Sequence, residues 1–176
     1  MELYVTRHGQ TDWNVENKVL GRTDIPLNEH GRAQANELAK TLKDTHFDLI
    51  FTSPLSRAEE TGTIVAESKN MPHTVLDWLI ECDFGEFEAD SRVGETYQAA
   101  KHEVFKRYPG GESFLDLSAR VYPALKELAR KYPDKSVLLV THGGICRIIR
   151  SYFEPLGNDE FINYSIGNCE VLHYTM

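Results

Sequence analysis

The chain has 176 residues, 41% of them hydrophobic and 26% charged, with a formal net charge of −8. That length supports a single domain with a full core, over residues 1–176, and is short for two. The negative balance argues against nucleic acid or an anionic membrane as the main partner, although local arginines can still build a positive pocket. No apolar run approaches the ~18 residues of a membrane-spanning helix, and the polar Met1-Glu2 start is unlike a signal peptide. Cys82, Cys146 and Cys169 form no CxxC pair, so reduced thiols in a cytoplasmic protein are expected.

Strand and helix patterns alternate along the chain. Leu3 to Thr6 reads as a first strand. Pro26 to Lys43 reads as a helix, with Asn28 as cap and Ala35, Leu38, Ala39 and Leu42 on one apolar face. Asp48 to Thr52 is a second strand, after which Ser53 and Pro54 offer an N-cap and a first helical residue for a helix to about Lys69. Thr74 to Asp77 is a weaker strand. Asp83 to Val93 has no period and reads as an acidic loop, before a helix from Glu95 to Arg107. Pro109-Gly110-Gly111 breaks the chain. Glu112 to Lys131 then carries Leu117, Val121, Leu125 and Leu128 at helical spacing. Val137-Leu138-Leu139-Val140, within a strand from Ser136 to Thr141, predicts burial on both faces. A helix from Gly143 to Phe153 and a closing strand from Cys169 to Tyr174 complete an α/β layer fold with a mainly parallel sheet.

Such sheets hold ligands at the carboxyl ends of their strands, where His8, Ser53 to Arg57 and His142 all fall. A lone loop histidine usually bonds backbone. Arg7 beside His8 suggests an anion instead, and Gly9 permits the turn that lets both side chains act together. Neutral imidazole is a competent nucleophile near neutral pH. Gly143-Gly144 after His142 lets helix-start N–H groups approach an anion, and His142 could stabilise a transferring phosphoryl group. Arg57 in a first helical turn is disfavoured by the dipole, which bidentate phosphate binding would explain. Arg22 and Arg32 lack that argument and read as solvated. The remaining histidines form no HxH or HExxH pattern, so no metal and no cofactor is expected. There is no P-loop and no G-x-S-x-G elbow.

Five ordered motifs resemble the histidine phosphatase superfamily, the phosphoglycerate mutase-like proteins. Arg7 to Asn14 is similar to R-H-G-[EQ]-[ST]-x-W-N, and Gly21 to Ala35 to G-x-x-D-x-P-L-[TSN]-x-x-G-x-x-Q-A. Ser53 to Thr61 is similar to S-P-L-x-R-A-x-x-T, and Gly110 to Ser113 with Thr141 to Gly144 completes the set. The resemblance implies a three-layer α/β/α sandwich, mainly parallel with one antiparallel strand. It makes His8 the phosphohistidine nucleophile, with Arg7, Arg57 and His142 around the phosphoryl oxygens. Asn14, Gln10, Gly21 and the Gly143 backbone would serve the substrate, and Glu81 would protonate the leaving group.

One departure concerns the loop after Glu81. The family often continues F-G-x-W-E-G, whereas this chain has Phe84-Gly85-Glu86-Phe87-Glu88-Ala89. If the final glycine serves a positive φ, Ala89 would alter the loop, which leaves Asp83 as a reserve acid. Glu86, Glu88, Asp90 and Glu95 predict an acidic entrance that disfavours bisphosphates. The stretch from Glu81 to His142 is shorter than in the cofactor-dependent mutases, which favours a phosphatase acting on small phosphorylated metabolites. A mutase, or a non-catalytic phospho-ligand-binding member, is the alternative. The sequence leaves the oligomeric state open, a homodimer included.

Overall fold

The computed structural model describes residues 1–176. Five strands, β1 (Glu2–Arg7), β2 (Leu49–Thr52), β3 (Thr74–Val75), β4 (Ser136–Thr141) and β5 (Val171–Thr175), form one sheet in the order β3-β2-β4-β1-β5. Seven helices accompany them: α1 (Asp12–Val15), α2 (Glu29–Thr41), α3 (Ser56–Ser68), α4 (Glu95–His102), α5 (Phe114–Lys131), α6 (Gly143–Phe153) and α7 (Asn158–Asn163). The most apolar strand, β4, lies at the centre, parallel to β1 on one side and β2 on the other. β3 continues the parallel set, and β5 closes the sheet antiparallel to β1.

Alternation along β4 divides the core. Val137 and Leu139 join a cluster with Leu117, Val121 and Leu125 of α5 and Ile145, Ile148 and Ile149 of α6. Leu138 and Val140 face Leu38 and Leu42 near α2 and Ala58 and Val65 of α3. Helices thus cover both faces, making the three-layer sandwich. Each such aliphatic side chain contributes ~1.5–3 kcal/mol on full burial, so the two clusters fix the strand order.

Register positions the site. Arg7 pairs with Thr141, and Thr52 with Val140, so β1, β2 and β4 end at one level. Backbone bonds from His8 N to Thr141 O (2.9 Å) and Ser53 N to Val140 O (3.0 Å) carry the pairing one residue further. His8, Ser53 and His142 consequently emerge side by side.

Several elements differ from the sequence expectation. Ser53 does not cap α3: that helix begins at Ser56 behind Leu55, and Asp24 Oδ1 accepts from Ser56 N at 2.9 Å in the capping role. α4 stops at His102 rather than Arg107, because Tyr108 turns inward against Phe84 and Phe87. The acidic loop contains a 3-10 turn at Gly85–Phe87, and α1 and α7 are additional short helices. Asn28 caps α2 through Gly31 N at 2.8 Å, as its sequence suggested.

Candidate active site

His8 is 3% exposed, and both ring nitrogens are engaged. Nδ1 lies 2.7 Å from the Gly9 carbonyl, which can only accept, so Nδ1 carries the proton and Nε2 the lone pair. Arg57 Nε–H donates to that Nε2 at 3.3 Å. Burial first, then the charges of Arg57 and Arg7, hold the His8 pKa well below its ordinary value and keep the ring neutral. Gly9 does not adopt a positive φ; its requirement is proximity, since a Cβ there would lie 2.9 Å from the Gly31 carbonyl carbon. Thr61 Oγ1 accepts from Gly9 N (3.1 Å) and donates to Arg57 O (2.7 Å), linking the nucleophile's loop to α3.

Arg57 is fully buried without a carboxylate against it. Nη1 donates to Thr23 O (3.0 Å) and Nη2 to Gly21 O (2.6 Å), so Gly21 orients Arg57 and does not itself line the cavity beside His8. Burial brings the Arg57 pKa down to about 10, which still leaves it charged at neutral pH. Arg7 Nη1 donates to Ile166 O at 2.9 Å, while its buried Nε has no partner. His142 is fully buried, its ring centroid 5.2 Å from that of His8. Its Nε2 is 2.6 Å from Ser53 Oγ and its Nδ1 is unpartnered, so Ser53 serves His142 rather than a helix cap. Burial and Arg57 also hold the His142 pKa well down.

Arg7, His8, Asn14, Glu81 and Gly143 border a cavity of about 360 Å³. Arg57 and His142 support His8 from outside that lining. Glu81 Oε1 accepts from Cys82 N (2.8 Å) and Oε2 from Gly144 N (2.9 Å), so the start of α6 is occupied by a carboxyl group of the chain itself. Asp83 is not on the cavity wall; it accepts from Gly85 N and faces Arg22. Gln10 also lies off the wall, its Oε1 accepting from Asn28 Nδ2 at 3.2 Å. Asn14, within α1, closes the capping box of the N-cap Thr11 by accepting from Thr11 N at 3.1 Å, and lies near Asn168, whose Nδ2 donates to His8 O at 2.8 Å.

The profile of the histidine phosphatase superfamily (branch 1) matches residues 3–176. The chain belongs to that superfamily. An uncharacterized phosphatase PhoE of Bacillus subtilis is 39% identical over 170 residues, covering 94% of this chain and 86% of that one. The phosphoglycerate mutase-like protein 4 of Arabidopsis thaliana is 34% identical over 94% of this chain and 77% of its own. The solved native structure of a mycobacterial glucosyl-3-phosphoglycerate phosphatase superposes with a TM-score of 0.86 at 28% identity, over 98% of this chain and 88% of that one.

Within this histidine phosphatase, some residues that shape the site escaped the sequence reading. Glu88 accepts from Gly21 N (3.1 Å) and Arg22 N (2.9 Å), so it staples the Gly21 loop rather than charging an entrance. Glu86, Asp90 and Glu95 are likewise absent from the cavity wall, where Glu81 is the only acid. The expected acidic entrance is therefore corrected to a basic one, with Arg92, Lys101 and Arg147 on the wall. Arg22 is paired rather than simply solvated: it contacts Glu112 at 3.1 Å. Arg32 is half-exposed and bonds Glu60 at 2.6 Å. Ala89 does adopt a positive φ of 73°, and the loop keeps that conformation with alanine in it.

Proposed function

We propose that this histidine phosphatase hydrolyses small phosphomonoesters, without a metal, through a phosphohistidine on His8. The observation that carries the reading is the neutral His8 ring on the cavity wall, whose Nδ1–H bond to Gly9 O leaves Nε2 as the acceptor nitrogen, met by Arg57 Nε–H. Nε2 attacks phosphorus and the ester P–O bond breaks, the leaving alkoxide taking a proton from Glu81. The ring becomes cationic as the P–N bond forms, and its Nδ1–H bond to Gly9 O disperses that charge. Water then loses a proton to Glu81 and attacks phosphorus. The P–N bond breaks, inorganic phosphate leaves, and Glu81 is again protonated.

Arg7, Arg57 and His142 supply the electrostatic stabilisation of the equatorial oxygens. Each Glu81 oxygen has two lone pairs and only one is used by a backbone donor, so the carboxyl can still carry a proton. Relatives named as phosphatases, and the short segment between Glu81 and His142, support hydrolysis over return of the phosphoryl group.

The test is turnover of p-nitrophenyl phosphate by the purified chain with excess EDTA. Activity should persist, fall by ~10³-fold or more in His8→Ala, and leave an acid-labile label on the protein after quenching with radiolabelled substrate. Full activity in His8→Ala would refute the assignment.

A further inference from the structure

The turn from Gly167 to Glu170, which leads into β5, lies outside the five motifs and reaches the nucleophile from the far end of the chain. Asn168 Nδ2 donates to His8 O at 2.8 Å, and no backbone N–H bonds that carbonyl. The next residue, Cys169, donates from its N–H to Arg7 O at 2.9 Å, and Thr6 Oγ1 donates to Glu170 O at 2.8 Å. Cys169 sits there at φ 59°, a left-handed conformation that a non-glycine residue keeps only where its surroundings impose it. Gly167 N closes the turn on Glu170 Oε2 at 2.8 Å.

The holds on the nucleophile's loop follow one another along the chain. The peptide joining His8 to Gly9 is planar, so bonds at its two polar ends fix its orientation. Asn168 holds the carbonyl end, and Thr61 Oγ1, on α3, accepts from the N–H end at 3.1 Å. The following peptide offers Gly9 O to His8 Nδ1–H, while Gln34 Oε1, on α2, accepts from Gln10 N at 2.8 Å. Glycine itself restrains the angle between these two planes little, so side chains from distant elements supply the restraint. Thr61 and Gln34 come from the two helices on one face of the sheet. Asn168 supplies the hold from the antiparallel edge.

We infer that Asn168 is a positioning residue for His8: by holding the His8 carbonyl, its amide N–H keeps Nε2 presented to the phosphoryl group. Asn168 is not on the cavity wall, so it acts through His8 and touches no substrate. Its second contact, 3.4 Å to Asn14 Oδ1, is the weaker one, and that oxygen already accepts from Thr11 N at 3.1 Å.

For turnover this role rests on the phosphatase reading, and anion binding separates the two. Orthovanadate takes the nucleophile's Nε2 as a fifth ligand, whereas inorganic phosphate is held by the surrounding donors without a bond to His8. p-Nitrophenyl phosphate needs no proton for its leaving group, which confines the kinetic readout to attack by His8. In Asn168→Ala and Asn168→Asp, kcat/KM for this ester and affinity for orthovanadate should each fall by ~10-fold or more, while phosphate affinity changes by less than ~3-fold. The aspartate keeps the side chain's shape but, ionised, has no hydrogen to give the His8 carbonyl. Phosphate affinity, measured by calorimetry on the same preparations, reports that each variant is folded.

Thr6→Val is the comparison for a purely structural loss. It removes the neighbouring bond to Glu170 O and loosens the same turn without freeing the His8 carbonyl, so its ratio of vanadate to phosphate affinity should match the parent's. An unchanged ratio in Asn168→Asp, or an equal drop in Thr6→Val, would overturn the positioning role. A parent chain that binds orthovanadate, loses that affinity selectively in both Asn168 variants and turns over no phosphomonoester would overturn the phosphatase reading and leave the positioning role standing.

Discussion

Replacing Arg120 with methionine tests whether the segment carrying Glu81 is held in place for chemistry. Arg120, on α5, donates from Nη1 to Trp78 O (2.6 Å) and from Nη2 to Ile80 O (2.7 Å) and Glu81 O (3.1 Å), while Nε bonds Glu112 Oε1 at 3.1 Å. Glu112 in turn accepts from Asp83 N at 3.0 Å, so one ion pair spans the chain on both sides of the acid. Hydrogen bonds from a charged donor contribute ~1.5–3 kcal/mol each, but these share one guanidinium and are not additive. Arg120 is 21% exposed and Arg22 still contacts Glu112, so water and a second cation soften the loss. A destabilisation of about 2–4 kcal/mol follows, lowering Tm by roughly 5–12 °C for a domain of this size. The informative readout is leaving-group dependence below the melting range. An alkyl phosphate needs the proton from Glu81, and a displaced acid should cost it ~10–100-fold in kcat/KM. p-Nitrophenolate departs without a proton and should lose far less. Equal losses on both substrates would refute the positioning role and leave Arg120 as a stabilising residue only.

Glu81→Gln should show the same discrimination more strongly, with ~10²–10⁴-fold lost on alkyl phosphates and a small loss on p-nitrophenyl phosphate; matched losses would assign the proton elsewhere. Ala89→Gly relieves a left-handed alanine at φ 73° and should raise stability by up to ~1 kcal/mol in urea denaturation, since relieved strain of ~1–2 kcal/mol exceeds the added chain entropy. His8 and His142 have pKa values lowered by burial and nearby guanidinium charge. Above the unfolded value near 6.5 both states are neutral and nothing changes; below it the unfolded chain takes up two protons that the folded chain refuses. Stability should therefore fall with acid by up to ~2.7 kcal/mol per pH unit from this pair, and His8→Asn should remove about half of that slope in denaturation between pH 7 and 5.

The parts of the molecule legible in the sequence are those fixed by local physics. Val137 to Val140 announces the central strand because burial on both faces leaves no polar position, and Asn28 announces α2 because its side chain has one local donor to reach. The strand-end rule brought Arg7, His8, Arg57 and His142 to one edge, where the structure brings them together. Ser53 misled because a cap and a histidine partner use the same hydroxyl, and only the three-dimensional neighbour decides which bond forms. The acidic loop misled for a related reason: Glu88 is consumed by backbone N–H groups of a distant loop. Arg92, Lys101 and Arg147 lie on three separate elements with no shared motif, so no spacing could reveal their convergence.

The partners of the arginines separate two roles within one residue type. Away from the cavity, Arg32, Arg107, Arg130 and Arg150 each pair with a carboxylate, and the pair is locally neutral. Around the cavity the holding groups are carbonyls: Ile166 O for Arg7, Gly21 O and Thr23 O for Arg57, and Tyr164 O for Arg147. A carbonyl fixes the guanidinium plane and satisfies a donor, but it does not cancel the charge. A carboxylate in its place would be cheaper for the free protein and would also compete with any anionic ligand. Carbonyl-held arginines therefore keep their full field directed at the cavity without reorganising when an anion arrives, which is the arrangement that electrostatic catalysis requires. The opposite sign of the surface has its own consequence: in a molecule of net charge −8, selectivity for anions has to come from this interior field, because long-range attraction works against them.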